Sequence, residues 1–277
     1  MYAKSLASNF RDQTSIRRSR PLTEDQIRCV APSIFAEEKH DSRSKRYTCI
    51  PTIEVLEGLK KQGFEPFMVC QSRTRDDERR GHAKHMIRMR HASKIDALEA
   101  NEIILLNSHD GTSSYQMLAG VYRAVCSNGM VWGDTKNDIR VRHSGNILEN
   151  VIEGAFTVLK DFEQVDTQRL NFKGLTLNHG EQMAFSKSAL ALKYDTDLQP
   201  APITEAQLLR AQRTEDSGTD LWTTLNKVQE NLIRGGLRGR SATGKRMTTR
   251  EVTSIDQSVK LNRALWVLAE EMKKLKV

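Results

Sequence analysis

Cysteine is scarce and scattered. The chain holds four, Cys29, Cys49, Cys70 and Cys126, and none stands in a C-x-x-C pair. That spacing argues against zinc ribbons and dithiol redox motifs. The four thiols are expected to be reduced and mostly buried. Aromatic residues are only 6% of the chain, which weakens any continuous base-stacking platform. No apolar run approaches the length of a membrane span. The opening stretch "MYAKSLASNFRDQTSIRRSR" lacks the apolar region of a signal peptide. The expectation is a cytoplasmic protein with no membrane partner. No internal repeat is visible, and no G-x-S-x-G nucleophile motif is present.

What is abundant is positive charge. Across 277 residues, 43 Lys+Arg stand against 35 Asp+Glu, a formal net charge of +8. An acidic partner follows from that excess, and nucleic acid is the commonest one. A hydrophobic fraction of 38% and a charged fraction of 28% are those of a globular chain. A chain of this length buries a core without disulfides or metal.

Hydrophobic periodicity sets out the elements. "PLTEDQIRCV" reads as a short helix with Thr23 as N-cap and Gln26 completing a capping box. "TIEVLEGLKKQG" reads as a helix stopped at Gly63. Then come strand signals in "FMVCQSRTR", "HAKHMIRMRH", "EIILLNS", "SYQMLAGVYRAVC" and "DIRVRHS", with Asn128-Gly129 as a hairpin signal. The second of these also has helical spacing; its place among strands favours the strand. After "HSGN" the apolar period becomes that of helices, ending in "VKLNRALWVLAEEMKKLK". Strands first and helices after predict an α+β fold: an antiparallel β-meander of about five strands with a C-terminal set of helices. The expected organisation is a basic arm and short helix over 1–48, a sheet domain over 49–165 and a helical region over 166–277. A basic, glycine-rich loop occupies 235–250.

Three places attract a functional reading. "NSHDGTSSY", Asn107 to Tyr115, carries side chains common at active sites, but Asp110-Gly111 between two strands predicts a turn. "GRSATGK" matches the spacing of a phosphate loop, yet it follows a helix rather than a buried strand, and Arg246 stands where a magnesium-binding hydroxyl belongs. What survives is its charge: "RGRSATGKRMTTR" holds Arg238, Arg240, Lys245, Arg246 and Arg250 with no acid. Such a loop suits phosphate contacts, and its glycines predict disorder in the free protein. On the sheet, Arg73 and Arg75, then Lys84, Arg88 and Arg90, then Arg140 and Arg142 each fall on one alternating face. Together they would make a wet basic face, with Tyr115 and Tyr122 as stacking surfaces. No catalytic residue, metal ligand set or cofactor is expected.

Several stretches together resemble one family: "SRSKRYTCIPT", "PFMVCQSR", "KHMIRMR", "EIILLNSHDGTSSYQM", "VCSNGMV", "DLWTTLNKVQENLIRGG" and "LNRALWVLAEEMKK". They look like the phage/plasmid-like proteins of unknown function of the YfjQ/YafZ type, domain of unknown function 932. The resemblance runs from about Arg17 to the C-terminus. It implies a mobile-element origin in prophages or conjugative plasmids and a cytoplasmic location, and it supplies no catalytic residues. The leading expectation is a non-enzymatic nucleic-acid-binding protein, single-stranded DNA favoured. In architecture alone it is broadly similar to phage strand-annealing proteins. One alternative is an inhibitor that binds a host defence enzyme. Another is a metal-dependent nuclease using Asp110, Asp134 or Asp138 with His109. A host protein and a second copy of the chain are the other partners considered.

Overall fold

The computed structural model describes residues 14–43, 47–74, 76, 78–125, 128–133, 138–141 and 147–276, with only the backbone described at 128, 141 and 147–152. The fold is α+β, as the order of periodicities predicts. Two compact units form. One holds the described residues up to Gly120 and those of the 137–162 segment; the other holds those of 121–136 and from Glu163 onward.

The main sheet has seven strands: β1 (Ser15–Arg17), β2 (Phe64–Gln71), β3 (His85–His91), β4 (Glu99–Asn107), β5 (Tyr115–Arg123), β6 (Asn128–Val131) and β7 (Ile139–Val141). Strands β1 to β6 lie in chain order, and β7 pairs with the first residues of β5. The β1–β2, β2–β3, β3–β4 and β5–β7 pairs are antiparallel. The five expected strands are all present. Two more were hidden: β1 lies inside the supposed basic arm, and β6 begins at Asn128, so Asn128-Gly129 opens a strand instead of forming the turn. Pro66 sits inside β2 because the register shifts there, between Pro66 and Met68. Proline is tolerated in a sheet at such an irregularity.

Helices α1 (Glu24–Val30) and α2 (Thr52–Lys61) pack on β2. Thr23 and Gln26 form the expected capping box of α1, worth about 1 kcal/mol. Val55, Leu56 and Leu59 of α2 are buried. The result for β3 is decisive: His85 to Arg90 are buried without interruption, on both faces. Arg88 and Arg90 are 3% and 1% exposed and do not form the expected wet basic face. Both pair with Glu102 on β4, at 2.5 and 3.3 Å. Glu102 is the direct register partner of Arg90, whose guanidinium also lies 3.7 Å from the centre of the Phe67 ring. Alternation gave Arg88 and Arg90 a shared face but could not say that both faces would be covered. Tyr115 and Tyr122, expected to be stacking surfaces, are buried, 0% and 6% exposed, and offer none.

Helix α3 (Ile147–Lys173) begins in the first unit, where Gly154 lets it approach Ile139 and Met117 closely, and ends in the second. The second unit continues with α4 (His179–Lys193), α5 (Glu205–Leu208), α6 (Leu221–Arg234), a separate hairpin of β8 (Arg238–Arg240) and β9 (Arg246–Thr248), and α7 (Ile255–Lys276). Helix α6 is central: every residue from Leu221 to Leu232 is buried, against α4, α5 and α7. Several of its polar side chains are met internally. Glu230 takes a two-pronged pair from Arg213 at 2.7 Å on each oxygen, and Asn231 donates to the Leu208 and Arg210 carbonyls. Trp266, fully buried, sets its ring at a tilt to Phe172 and edge-to-face with Trp222. Its indole N–H and that of Trp132 both donate to Gln168 Oε1.

Candidate nucleic-acid interface

The segment expected to be a disordered loop is instead an ordered β-hairpin. Register pairs Arg238 with Thr248, Gly239 with Met247 and Arg240 with Arg246. A bare two-stranded hairpin is marginal in water, so something must hold this one. At its base, Gly236 donates to the Thr249 carbonyl, Thr249 donates to the Leu237 carbonyl, and Thr249 is buried. Along its side, Arg240 N–H donates to the Pro202 carbonyl at 2.9 Å, and Gln207 donates to the Arg238 carbonyl at 2.8 Å. Gly239 is required by that docking: a β-carbon there would collide with the Pro202 carbonyl oxygen. At its tip, Ser241 and Lys245 exchange hydrogen bonds around a turn that includes Gly244. The backbone therefore recovers its hydrogen bonds locally, which composition alone does not reveal.

Alternation on this hairpin puts Arg238, Arg240, Arg246 and Thr248 on one face. All four are exposed, as are Lys245 at the tip and Arg250 beyond it. Among the described residues none of these cations has an acidic partner within ion-pair distance; the Arg240 guanidinium instead folds over the turn to donate to the Gly244 carbonyl at 3.1 Å. Arg240 and Arg246 face each other directly, a like-charge pairing that costs roughly 0.2–1 kcal/mol in a sheet. Arg238, Arg240 and Arg246 help to line a shallow depression of about 660 Å³.

The remaining basic residues are dispersed. Arg73 is exposed just past β2, and Lys84 is half-buried just before β3. Arg140 on β7 is exposed and pairs with Asp138 at 3.2 Å. Arg75 and Arg142 lie outside the described residues, as does Asp134 of the nuclease alternative. Of that alternative's other acids, Asp138 is committed to Arg140 and Asp110 to its own turn.

"NSHDGTSSY" is a turn between β4 and β5, as Asp110-Gly111 predicted. Gly111 takes φ +73, a left-handed conformation that side chains resist. Asp110 Oδ1 accepts from the Thr112 amide and hydroxyl at 3.0 and 2.6 Å. Partial burial would raise the Asp110 carboxyl, but the hydrogen bonds from Thr112 and Ser108 outweigh it and hold it below the usual range. What periodicity missed is that the start of this turn faces inward: Asn107, Ser108 and His109 are all fully buried.

Asn107 joins a directed hydrogen-bond chain around His85. Asn107 Nδ2 donates to Thr52 Oγ1, 2.9 Å, which stands 2.9 Å from His85 Nε2. On the other side His85 Nδ1 lies 2.8 Å from Ser33 Oγ, whose proton goes to Gln71 Oε1 at 2.7 Å. The Ala83 carbonyl, which can only accept, also faces Nδ1. These directions assign the tautomer: Nδ1 carries the proton, and Nε2 accepts from Thr52. The imidazole is thus neutral, and burial, together with nearby His109, pushes its pKa down to about 3. His109 Nδ1 stands 3.2 Å from Cys49 Sγ. Burial, then Glu54 and Glu38, push that thiol up to about 11, so at neutral pH it is not a thiolate nucleophile. Among the described residues no three His, Cys, Asp or Glu side chains are placed to hold a metal ion. Of the other cysteines, Cys70 is buried as expected, Cys29 is exposed, and Cys126 lies outside the described residues. Among the described residues no helix is long and apolar enough to cross a membrane.

Comparison with known proteins agrees with the resemblance carried by the motifs. The chain is 52% identical over 267 residues to the UPF0380 protein YfjQ of Escherichia coli (strain K12), covering 96% of this chain and 97% of that one. It is equally similar, 52% over 267 residues with the same coverage, to the UPF0380 protein YafZ of the same organism. No solved structure matches. The family described as "Domain of unknown function (DUF932)" matches residues 39–266, which span β2 to β9, the members of the histidine chain other than Ser33, and the basic hairpin, and to that family this chain belongs.

Proposed function

We propose that the protein binds nucleic acid, non-enzymatically, through the phosphate backbone, with the β8–β9 hairpin as the contact element. The observation that carries this reading is the hairpin's charged face. Arg238, Arg240 and Arg246 share it, two of them opposed, with no acidic partner among the described residues. Five arginines inside the fold are matched: Arg88 and Arg90 by Glu102, Arg213 and Arg234 by Glu230, Arg123 by Asp216. A row of phosphates would relieve the repulsion on the hairpin and accept the guanidinium donors in pairs. Lys245 and Arg250 extend the same strip. Arg73, Lys84 and Arg140 are separate, weaker contacts in the first unit. A DNA-handling role suits the prophage and plasmid setting that the family resemblance implies.

The test is a fluorescence-anisotropy titration of the full chain against labelled DNA at several salt concentrations. Log affinity is expected to fall linearly with log salt, as counterions are released from each neutralised phosphate. Replacing Arg238, Arg240 and Arg246 together by Ser should weaken binding without moving the melting temperature. Failure of the wild-type protein to bind any nucleic acid at low salt would remove this reading and favour a basic surface that docks on an acidic protein.

A further inference from the structure

The strongest unexplained feature is the form in which the hairpin presents its charge. It is a preformed two-stranded ribbon, fixed at its base by Gly236 and Thr249, along one side by Pro202 and Gln207, and at its tip by Ser241 and Lys245. Building on the nucleic-acid reading above, we infer that the β8–β9 ribbon enters the major groove of B-form double-stranded DNA and holds it without reading sequence.

Three observations separate this from single-strand binding. First, single-strand binders stack bases on aromatic rings, and no residue of "GGLRGRSATGKRMTTREV" is aromatic. The tyrosines that would have served, Tyr115 and Tyr122, are buried in the sheet. Second, the ribbon's dimensions fit. Its strands lie about 5 Å apart, so with side chains it fits the roughly 12 Å major groove that admits a two-stranded ribbon and overfills the roughly 6 Å minor groove. Arg238 and Arg240 project about 7 Å apart along one strand, with Arg246 opposite the second of them. Third, the helix preceding the hairpin cannot serve as a recognition helix. Leu221 to Leu232 of α6 are buried throughout, so the ribbon is the exposed element at this point of the chain. The contacts assigned to these arginines are to phosphates, which position the ribbon and carry no sequence information. Duplex RNA is disfavoured by the same geometry, because its major groove is deep and narrow.

The experiment compares the full chain on duplex DNA, on one of its strands alone and on duplex RNA of the same length. Each is titrated with the wild-type protein and with the Arg238→Ser/Arg240→Ser/Arg246→Ser variant, whose melting temperature is checked first. Dimethyl sulfate modification of guanine N7, an atom that lies in the major groove, is read on the duplex. The expected result is duplex DNA bound about tenfold or more tighter than the other two, as a preorganised site allows. The salt slope on duplex DNA should drop by about 2.7 in the variant, at 0.9 per lost contact. N7 should be protected by the wild-type protein and not by the variant. If the single strand or the duplex RNA binds as tightly as duplex DNA, or N7 stays reactive, while the variant still loses affinity, the groove inference falls and the hairpin's phosphate role stands. If no nucleic acid binds, or the variant binds as well as wild type, the hairpin has no such role and both readings fall.

Discussion

Arg88 and Arg90 on β3, and Arg240 and Arg246 on the hairpin, are the same residue type in the same extended backbone. They meet opposite fates. On β3 a neighbouring strand brings Glu102 directly opposite Arg90, helices cover the sheet at β2, and both guanidinium groups end inside, one against an aromatic ring. On the hairpin, among the described residues, no third strand supplies an acid, and Arg240 meets Arg246 instead. A cation in a strand becomes structural when the next strand carries its counter-charge and the face is covered. It stays available for a partner when neither condition holds. Counting arginines, or even assigning them to faces, does not separate the two cases.

Glu102 is what holds both β3 arginines in the interior. Replacing it with Gln leaves two buried guanidinium groups short of a carboxylate, a loss of about 3–5 kcal/mol. Urea denaturation should show it as a lowered midpoint with little change in slope. A triple change of Arg88, Arg90 and Glu102 to Met, Met and Leu should recover most of that loss, since apolar residues of similar volume replace a buried ion group well. A Glu102→Gln protein of unchanged stability would mean that the arginines are hydrated after all.

The buried histidine sharpens the contrast between interior and exposed polar groups. Below pH 6.5 the unfolded chain takes up a proton at His85 that the folded protein refuses until about pH 3. The stability from this group is therefore complete above pH 6.5. It falls by at most about 1.4 kcal/mol per pH unit on acidification through that window. His85→Gln should flatten that part of the pH dependence, measured as urea midpoints between pH 7 and pH 4. An unchanged slope would show that the imidazole is already exposed to protons in the native state.

On the hairpin, Gly239→Ala should displace β8 from Pro202 at a cost of about 1–3 kcal/mol, the usual range for overpacking. The clearer readout is local: trypsin should cut more readily after Arg238, Arg240, Lys245 and Arg246. If cleavage is as fast in the wild type, the hairpin was never held. The smallest effect is expected from Arg238→Ser/Arg240→Ser/Arg246→Ser. Exposed substitutions that break no native ion pair change stability by about 0.5 kcal/mol or less, and relief of the opposed pair makes a slight gain the expected direction. A large loss of stability in thermal denaturation would make those arginines structural, like those on β3.

Local chemistry was legible in the sequence. The presence of strands β2 to β5, the capping box at Thr23 and Gln26, the stop at Gly63 and the turn at Asp110-Gly111 all depend on residues a few positions apart, and all took the expected form. Strands β1 and β6 were not legible, because three or four residues carry too little period to stand out, and β1 exists only through its pairing with β2. The hairpin was misread as disorder for a related reason: its hydrogen bonds go to Pro202, Gln207 and its own return strand, none of which composition reveals. The histidine chain lay further out of reach, joining Ser33, Thr52, Gln71, His85 and Asn107 from separate elements.

By itself, then, the sequence determined the class of fold, the positions of most elements, the family and a surplus of positive charge, since each of these follows from residue type and short-range spacing. Only the tertiary structure decided where that charge resides. Whether an arginine faces solvent or a buried glutamate depends on which strand lies next to it and on what covers the sheet. Those are long-range facts, settled when burial of the apolar faces forces the elements together.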